Sequence, residues 1–163
     1  MIIRNITEND NFVAIREIYE RSWKSAYRDI IPKEWLDSRP KEKWGGNILK
    51  NGRVETGAFI DGKIVGTACY CQSRWDKFKD FGEVVTIYLL PEYIGQGIGY
   101  ALMEHCISAL KGLGYDKVLL WVLEENTRAR AFYERYGFVL TDEFIDDNIG
   151  GRDVREVMYV LNV

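Results

Sequence analysis

The apolar positions in the first third of the chain follow the periodicity of helices. Between residues 10 and 27 the apolar side chains recur every three or four positions, as on one helix face: Phe12, Ile15, Ile18, Tyr19 and Trp23. Asn9 or Asp10 is placed to cap this helix. Pro32 is placed to open a second, short helix, and residues 40–50 are expected to form another helical piece.

Four runs of β-forming residues predict strands in the first half of the chain. Residues 2–6 form a short run, and the largely apolar residues 82–90 form another. Between them lie Val54–Ile60 and Lys63–Gln72, joined by the Asp-Gly pair at residues 61–62. An Asp-Gly pair between two such runs is typical of a β-hairpin.

The second half of the chain predicts alternating helices and strands. A helix follows residue 97, with one apolar face formed by Ile98, Leu102, Cys106, Ala109, Leu110 and Leu113. Lys117–Leu123 is typical of a buried strand and Thr127–Tyr136 of a short helix, and Phe138–Phe144 and Val154–Leu161 predict two further strands. The order β, α, α, β, β, β, α, β, α, β, β contains hairpins and crossovers, so it predicts an α/β chain with a mixed sheet.

Composition is that of an ordinary globular protein, and it disfavours several classes of function. The chain, with 47% hydrophobic and 29% charged residues, is expected to form a single domain over residues 1–163. A net charge of −3 argues against nucleic acid as a partner. No apolar run approaches the roughly 20 residues that cross a bilayer, so no membrane segment is expected. The start lacks the pattern of a secretion signal and cysteine is sparse, so a cytoplasmic location is expected.

Alternating glycines mark the turn between the run at residues 82–90 and the helix that follows. Gly95, Gly97 and Gly99 lack a Cβ atom, so the backbone there can take positive φ and approach a ligand closely. The unpaired N–H groups at the start of the helix and the helix dipole both favour negative charge. The segment is therefore a candidate site for a phosphate or a pyrophosphate.

The spacing of these glycines does not match two other phosphate-binding motifs. A nucleoside-triphosphate loop ends in Gly-Lys-Ser or Gly-Lys-Thr, whereas here Tyr100 follows Gly99. The dinucleotide fingerprint needs a third glycine where this chain has Tyr100 or Leu102, depending on the first glycine chosen. A plain glycine-rich connection that binds nothing stays open, and so does another kind of nucleotide-binding α/β protein.

Two segments resemble the GNAT superfamily of N-acetyltransferases. Residues 94–99, Ile-Gly-Gln-Gly-Ile-Gly, are similar to the family signature Arg/Gln-x-x-Gly-x-Gly/Ala, which opens a helix that holds the pyrophosphate of coenzyme A. Ile94 departs from the signature's Arg or Gln, which affects a side-chain contact and leaves the backbone N–H groups in place. Residues 125–138 are similar to the family segment Asn-x-x-Ala-x-x-Phe-Tyr-x-x-x-Gly-Phe. With the order of elements, the resemblance covers most of residues 54–161.

The resemblance implies a fold and a co-substrate. The fold is a mixed, mostly antiparallel central sheet of about seven strands flanked by about four helices, with a V-shaped splay between the fourth and fifth strands. Acetyl-CoA is expected to lie in that splay like an extra strand, with its carbonyl held by the backbone of Leu89, and no metal is expected. The residues that the resemblance assigns to acetyl-CoA are Ile87, Tyr88, Leu89, Ile94, Gly95, Gln96, Gly97, Ile98, Gly99, Tyr100, Asn126 and Tyr133.

Tyr133 and Glu83 are the candidate catalytic residues. By resemblance Tyr133 is the general acid, because a phenol is protonated at neutral pH and can give its proton to a departing thiolate. A packing aromatic would look the same in sequence. Glu83 is the candidate general base, since a regular strand would put it on one face with Leu89, six residues later, and one branch of the family uses a glutamate at this offset. A solvated carboxylate, or a water chain in place of a fixed base, remains the alternative.

Other residues capable of chemistry have structural interpretations. Asn126 matches a family position that contacts coenzyme A, and a helix cap would look the same. His105 lies off the apolar face of its helix and is expected at the surface. Cys69, Cys71 and Cys106 have no base beside them in sequence and are expected in the core.

The expected function is acetyl transfer from acetyl-CoA to a primary amine by direct attack in a ternary complex. The acidic balance favours a small cationic amine, while a protein N-terminus or lysine stays open as the acceptor. Trp23, Tyr27, Trp35 and Trp44 either pack under the sheet or wall the acceptor pocket. A non-catalytic acyl-CoA sensor is the alternative of another class, and a homodimer is expected only because it is common among similar proteins.

Overall fold

A computed structural model describes residues 1–163, and its elements follow the predicted order. The strands are β1 (Ile2–Asn5), β2 (Val54–Ile60), β3 (Lys63–Gln72), β4 (Gly82–Leu89), β5 (Lys117–Leu123), β6 (Val139–Ile149) and β7 (Arg152–Asn162). The α-helices are α1 (Phe12–Ala26), α2 (Lys33–Ser38), α3 (Ile98–Gly112) and α4 (Thr127–Tyr136). None of these helices is long and apolar enough to cross a membrane.

The strands form one seven-stranded sheet in the order β1-β2-β3-β4-β5-β7-β6. Neighbouring strands are antiparallel except β4 and β5, which run parallel. These two strands pair only where Gly82 meets Val118 and Glu83 meets Leu119, and beyond that point they separate. The predicted mixed, mostly antiparallel sheet with a splay between its fourth and fifth strands is confirmed.

Both faces of the sheet are covered, and the larger core lies under α3 and α4. Leu102 and Leu110 of α3 pack there on Val84, Val118 and other strand residues. The first third of the chain, with α1 and α2, covers the opposite face through two smaller apolar clusters. Because α3 and α4 lie on one face and α1 on the other, the β4–β5 gap is bounded by side chains from both layers.

The hairpin between β2 and β3 forms as its turn residues predict. Asp61 and Gly62 both have positive φ, at 49° and 77°, which is the backbone of the tight hairpin turns that Asp-Gly favours. The bounds of β2 and β3 also agree with the prediction.

The cap of α1 is Asn11, so the predicted cap at Asn9 or Asp10 is wrong by one or two residues. The Asn11 side chain accepts hydrogen bonds from the first turn of the helix. Asp10 is used elsewhere, since its carboxylate accepts hydrogen bonds from Arg4 at 2.6 and 2.9 Å and from the Thr7 N–H at 2.8 Å.

Two further expectations differ from the structure. Residues 40–50 contain only a single 3-10 turn, Lys41–Lys43, because Gly45 and Leu49 have positive φ, which a helix does not admit. Strand β6 continues five residues beyond the predicted end at Phe144, through a polar stretch that pairs with β7 along an open sheet edge.

Candidate active site

The glycine turn before α3 presents unpaired N–H groups to open space. Gly95 and Gly97 have φ of 82° and 79°, a conformation that residues with a Cβ rarely adopt, and no atom lies within 4 Å of where that Cβ would be. Gly97 is the N-cap of α3, and no side chain caps the helix. The first N–H groups of α3 are therefore free to bind an anion, as expected from the sequence.

Side chains around this turn are engaged with the protein, so the backbone carries the site. Ile98 is 2% exposed and belongs to the core. Tyr100 is exposed, with its ring centroid 5.1 Å from that of Tyr136. Gln96 donates to the Glu92 carbonyl at 2.8 Å. The replacement of the family's Arg or Gln by Ile94 thus leaves the arrangement of backbone donors intact.

Beyond Glu83, the edge of β4 that faces β5 has no strand partner. The Leu90 N–H donates to the Val65 carbonyl on β3 at 2.9 Å. Because successive N–H groups of a strand point to opposite sides, the Leu89 N–H points into the gap. Ile87 and Leu89 thereby offer backbone groups with which an extended ligand can pair.

A β-bulge at Val85 places Glu83 and Leu89 on opposite faces of β4. The pairing of β3 with β4 skips Val85, which adds one residue to the side-chain alternation. Leu89 packs on the core under α3. A Cβ on Gly82 would strike Leu110 of α3, so Gly82 faces α3. Because neighbouring residues of a strand point to opposite faces, Glu83 points away from α3. The expectation that Glu83 and Leu89 share a face is therefore wrong, since it assumed a regular strand.

Glu83 is 1% exposed and forms an ion pair with Arg74. One carboxylate oxygen accepts from Arg74 Nη2 at 2.6 Å, and the other accepts from the Arg74 backbone N–H at 2.9 Å. The interpretation of Glu83 as a solvated residue at the start of a strand is thus wrong. The sequence gives no sign of this pair, because the loop between β3 and β4 brings Arg74 back over the strand.

Three buried tyrosines have hydroxyls close enough to influence one another's pKa: Tyr133 on α4, Tyr88 on β4 and Tyr27 at the end of α1. Trp23 Nε1 of α1 donates a hydrogen bond to the Tyr88 hydroxyl at 2.9 Å. Burial raises the pKa of Tyr133, and the nearby Tyr27 hydroxyl raises it further. Burial likewise raises the pKa of Tyr27 to about 12. All three hydroxyls therefore keep their protons at neutral pH.

Asn126 caps α4, since its side chain accepts the Ala129 N–H at 3.2 Å. A helix cap is the structural alternative that the sequence offered for Asn126, and the contact of Asn126 with coenzyme A stays a prediction. His105 is half-buried and lies 3.0 Å from the Asn5 side chain of β1, at the sheet edge remote from the gap. Neither residue supplies a proton-transfer group at the gap.

The three cysteines are buried and free, as expected for core residues. Burial raises the pKa of the Cys69 and Cys71 thiols, and it raises that of Cys106 to about 12. A neutral thiol is a poor nucleophile. No three His, Cys, Asp or Glu side chains converge as the ligands of a metal ion would.

Sequence reasoning missed Glu55, which lies on β2 and is 1% exposed. Its Oε1 accepts hydrogen bonds from the hydroxyls of Tyr19, at 2.9 Å, and Thr67. Burial raises the pKa of Glu55 to about 7. The signal was present in the sequence, because Glu55 is the only charged residue of its strand, as Glu83 is of β4.

A cavity of about 170 Å³ lies beside Glu55, on the face of the sheet that α1 covers. Its wall includes Tyr88 and two aromatic residues from the first third of the chain, Trp23 and Trp44. Trp44 also belongs to an apolar cluster on which Trp23 packs. The interpretation that these aromatic residues pack in the core is confirmed, and that they wall the acceptor pocket stays a prediction.

Comparison with known proteins identifies the family to which this chain belongs. A profile of the acetyltransferase (GNAT) family matches residues 12–138. The uncharacterised N-acetyltransferase YuaI of Bacillus subtilis is 30% identical over 153 residues, which cover 88% of this chain and 83% of that protein. The spermidine N(1)-acetyltransferase of Thermoplasma acidophilum is 28% identical over 135 residues, covering 77% and 81% of the two chains.

A solved structure has the same fold. The PaiA N-acetyltransferase of Thermoplasma acidophilum, crystallised with coenzyme A, superposes with a TM-score of 0.79 at 22% identity, over 100% of both chains. The family profile spans α1, the β4–β5 gap, the glycine turn and Tyr133. This chain belongs to the GNAT family of acetyltransferases and is an acetyl-CoA-dependent N-acetyltransferase.

Proposed function

We propose that this enzyme transfers the acetyl group of acetyl-CoA to a small primary amine by direct attack in a ternary complex. The observation that carries the proposal is the β4–β5 gap. At one end it meets the free N–H groups of α3, and along its side stand Tyr133 and the cavity beside Tyr88. A ligand that enters along the gap can therefore bring its reactive end to an acceptor held under α1.

Bound acetyl-CoA supplies an acetyl thioester, and the residues of this chain fit it. The turn at Gly95 and Gly97 is open, and its backbone donors suit a pyrophosphate. The free edge of Ile87 and Leu89 suits the amide groups of the pantetheine arm. In this arrangement the Leu89 N–H polarises the thioester carbonyl, which stabilises the negative charge that develops on its oxygen.

Tyr133 acts as the general acid in this proposal. The amine nitrogen bonds to the carbonyl carbon, the carbon–sulfur bond breaks, and the sulfur takes the phenolic proton. The Tyr133 hydroxyl makes no hydrogen bond within the protein, and burial keeps this hydroxyl protonated. Both properties support a group that is held ready to donate.

Glu83 remains the base that we propose from the sequence. It lies on the face of the sheet that α1 covers, where the acceptor is expected. Since both of its oxygens accept hydrogen bonds from Arg74, the proton would have to go to a lone pair that Arg74 leaves free. A chain of water molecules is the alternative route for the amine proton.

The size of the cavity supports a small acceptor over a protein N-terminus or a lysine of another protein. Its volume of about 170 Å³ lies below the roughly 300–1,000 Å³ of pockets that hold drug-sized ligands. Arg39, residues 43–48 and Trp23 of α1 line it. A polypeptide would need a longer and more open groove.

An acceptor screen with thiol detection tests the proposal. The enzyme is mixed with acetyl-CoA and a panel of small amines, amino acids and peptides, and free CoA is measured. We expect release with at least one small amine and none with peptides. Tight binding of acetyl-CoA without release for any compound would contradict transfer and favour a sensor.

A further inference from the structure

The cavity beside Glu55 is lined mainly by groups that donate hydrogen bonds. Arg39, Lys43 and Arg53 contribute positive charge to its wall, and Glu55 is the only acidic residue there. The net charge of −3 over the whole chain therefore does not describe this site. Local charge governs which ligand a cavity binds, and here it favours an anionic group.

Three of the lining side chains hold buried N–H groups without a partner. They are Nε of Arg39, Nε of Arg53 and Nε1 of Trp44, and the Trp44 side chain is 2% exposed. Neither arginine forms an ion pair with a carboxylate of the protein. A buried donor without a partner is unfavourable, so donors gathered in the wall of one cavity indicate a ligand that accepts hydrogen bonds there.

Arg39 is held in a fixed orientation. Its guanidinium carbon lies 5.3 Å from the centre of the Trp35 ring and 5.0 Å from that of Trp44. Its Nη2 donates to the Lys43 carbonyl at 3.2 Å. A guanidinium is planar, and the stacking and the tether fix the direction of its plane, so its remaining N–H groups are oriented to bind a carboxylate.

The cavity also reaches the reacting end of β4. Thr86 and Tyr88 stand in its wall, and the Tyr19 hydroxyl, which donates to Glu55, lies 3.4 Å from that of Thr86. Glu55 thus supplies an acceptor of hydrogen bonds near β4. A ligand with an amine at the β4 end and an anionic group among the donors would satisfy both.

We propose that the acetyl acceptor is an amino acid, or a similarly small amine with a carboxylate, and that Arg39, Arg53 and Trp44 bind the carboxylate. The inference rests on the proposed acetyl transfer and narrows its acceptor. A polyamine has no group that could accept hydrogen bonds from the unpaired donors. It would also bring further positive charge beside the cationic side chains of the cavity wall.

Matched pairs of ligands that differ only by a carboxylate test the proposal. Ornithine and putrescine, lysine and cadaverine, and phenylalanine and phenethylamine are each titrated calorimetrically into the enzyme saturated with coenzyme A. We expect at least one amino acid to bind ten-fold or more tightly than its decarboxylated partner. If no pair shows that preference, the proposal is overturned.

Substitution of the arginines locates the binding site. R39M and R53M should each reduce the preference of the best pair ten-fold or more, because each removes a charged donor. R135M is the matched control, since Arg135 is exposed on α4, and it should leave the preference unchanged. If both R39M and R53M fold, as thermal unfolding reports, and both behave like R135M, the assignment is wrong.

Turnover separates this inference from the proposed function. Free CoA is measured with acetyl-CoA and the same six compounds. Carboxylate-dependent binding without CoA release from any of them would overturn acetyl transfer to amino acids and leave the binding site standing. Release that favours the decarboxylated amines would support acetyl transfer and overturn the carboxylate site.

Discussion

Tyr133 is the side chain on which the proposed proton transfer depends. Its ring is packed among Phe132, Phe138 and Tyr159, at centroid distances of 5.5, 6.1 and 6.4 Å, while its hydroxyl bonds to no other protein group. Packing therefore fixes the ring and leaves the proton free for chemistry. Removal of the hydroxyl should change the rate much more than the stability.

We predict that Tyr133→Phe lowers kcat by about 10²–10⁴-fold, the usual contribution of a general acid. Affinity for acetyl-CoA, measured by calorimetry, should stay within a factor of two or three, because the backbone holds the ligand. Tyr136→Phe is the control, since its hydroxyl bonds to Glu104, away from the gap. An unchanged kcat in Tyr133→Phe would refute the acid assignment.

Glu83 and Arg74 can be tested as a pair. Both Glu83→Gln and Arg74→Met break the ion pair, and only the first removes the carboxylate. If Glu83 is the base, kcat/KM should fall about 10²-fold or more in Glu83→Gln and much less in Arg74→Met. Equal losses in the two variants would mean that the pair organises the site and that Glu83 transfers no proton.

Glu55 should make the stability of the protein depend on pH. Burial raises its pKa from 4.5 in the unfolded chain to about 7, so the folded state binds the proton more tightly. The free energy of unfolding therefore falls as pH rises from about 4.5 to about 7, by about 3 kcal/mol, and is level above that. Urea unfolding of wild type and Glu55→Gln across this range measures it, and parallel curves would contradict it.

At this scale, motif residues were predictable and their partners were not. The glycines and Tyr133 stand in motifs that a reader of the sequence can recognise. Arg74 is paired with Glu83 by a loop, and the cavity donors Arg39 and Arg53 come from segments without a motif. Only the folded chain brings such residues together.

The turn before α3 is the element whose geometry matters most for the binding of coenzyme A. A comparison of two glycines separates the effect of a substitution on stability from its effect on binding. Gly97 and Gly114 both have positive φ, at 79° and 93°, and both have open space where a Cβ would lie. An alanine at either position should lower stability by about 1–2 kcal/mol, because both force a side chain into the left-handed region.

We expect only Gly97→Ala to weaken the binding of coenzyme A, by about ten-fold, because its methyl group would stand where the phosphates approach the backbone. Calorimetric titration measures the affinity, and urea unfolding measures the shared loss of stability. Equal affinity in both variants would show that the turn does not hold the ligand.

Among the elements, the sequence predicted those with strong local signals. The β2–β3 hairpin and β5 have the predicted bounds, since a turn pair or a continuous apolar run defines them. The bulge in β4 was missed, because nothing in its apolar run marks Val85 as an extra residue. That one residue reversed the face of Glu83 relative to Leu89, and so changed the argument about the base.

The whole molecule contains a sheet in two parts. Strands β1 to β4 form one part and β5 to β7 the other, and only two residue pairs at one end join them. The core under α3 packs on both parts, since Val84 of β4 and Val118 of β5 belong to the same cluster as Leu102 of α3. Side chains, more than strand pairing, therefore keep the parts together along the gap.

This separation gives β4 an unusual dynamic property. Although β4 lies in the middle of the sheet, the amide hydrogens of Ile87 and Leu89 have no strand partner on the β5 side. They should exchange with deuterated solvent at the pace of an edge strand, whereas the amides of Tyr88 and Leu90, turned toward β3, should be protected. Saturation with coenzyme A should slow exchange at Ile87 and Leu89 selectively. Mass spectrometry or NMR can therefore detect a ligand that pairs with the free edge of β4 inside the sheet.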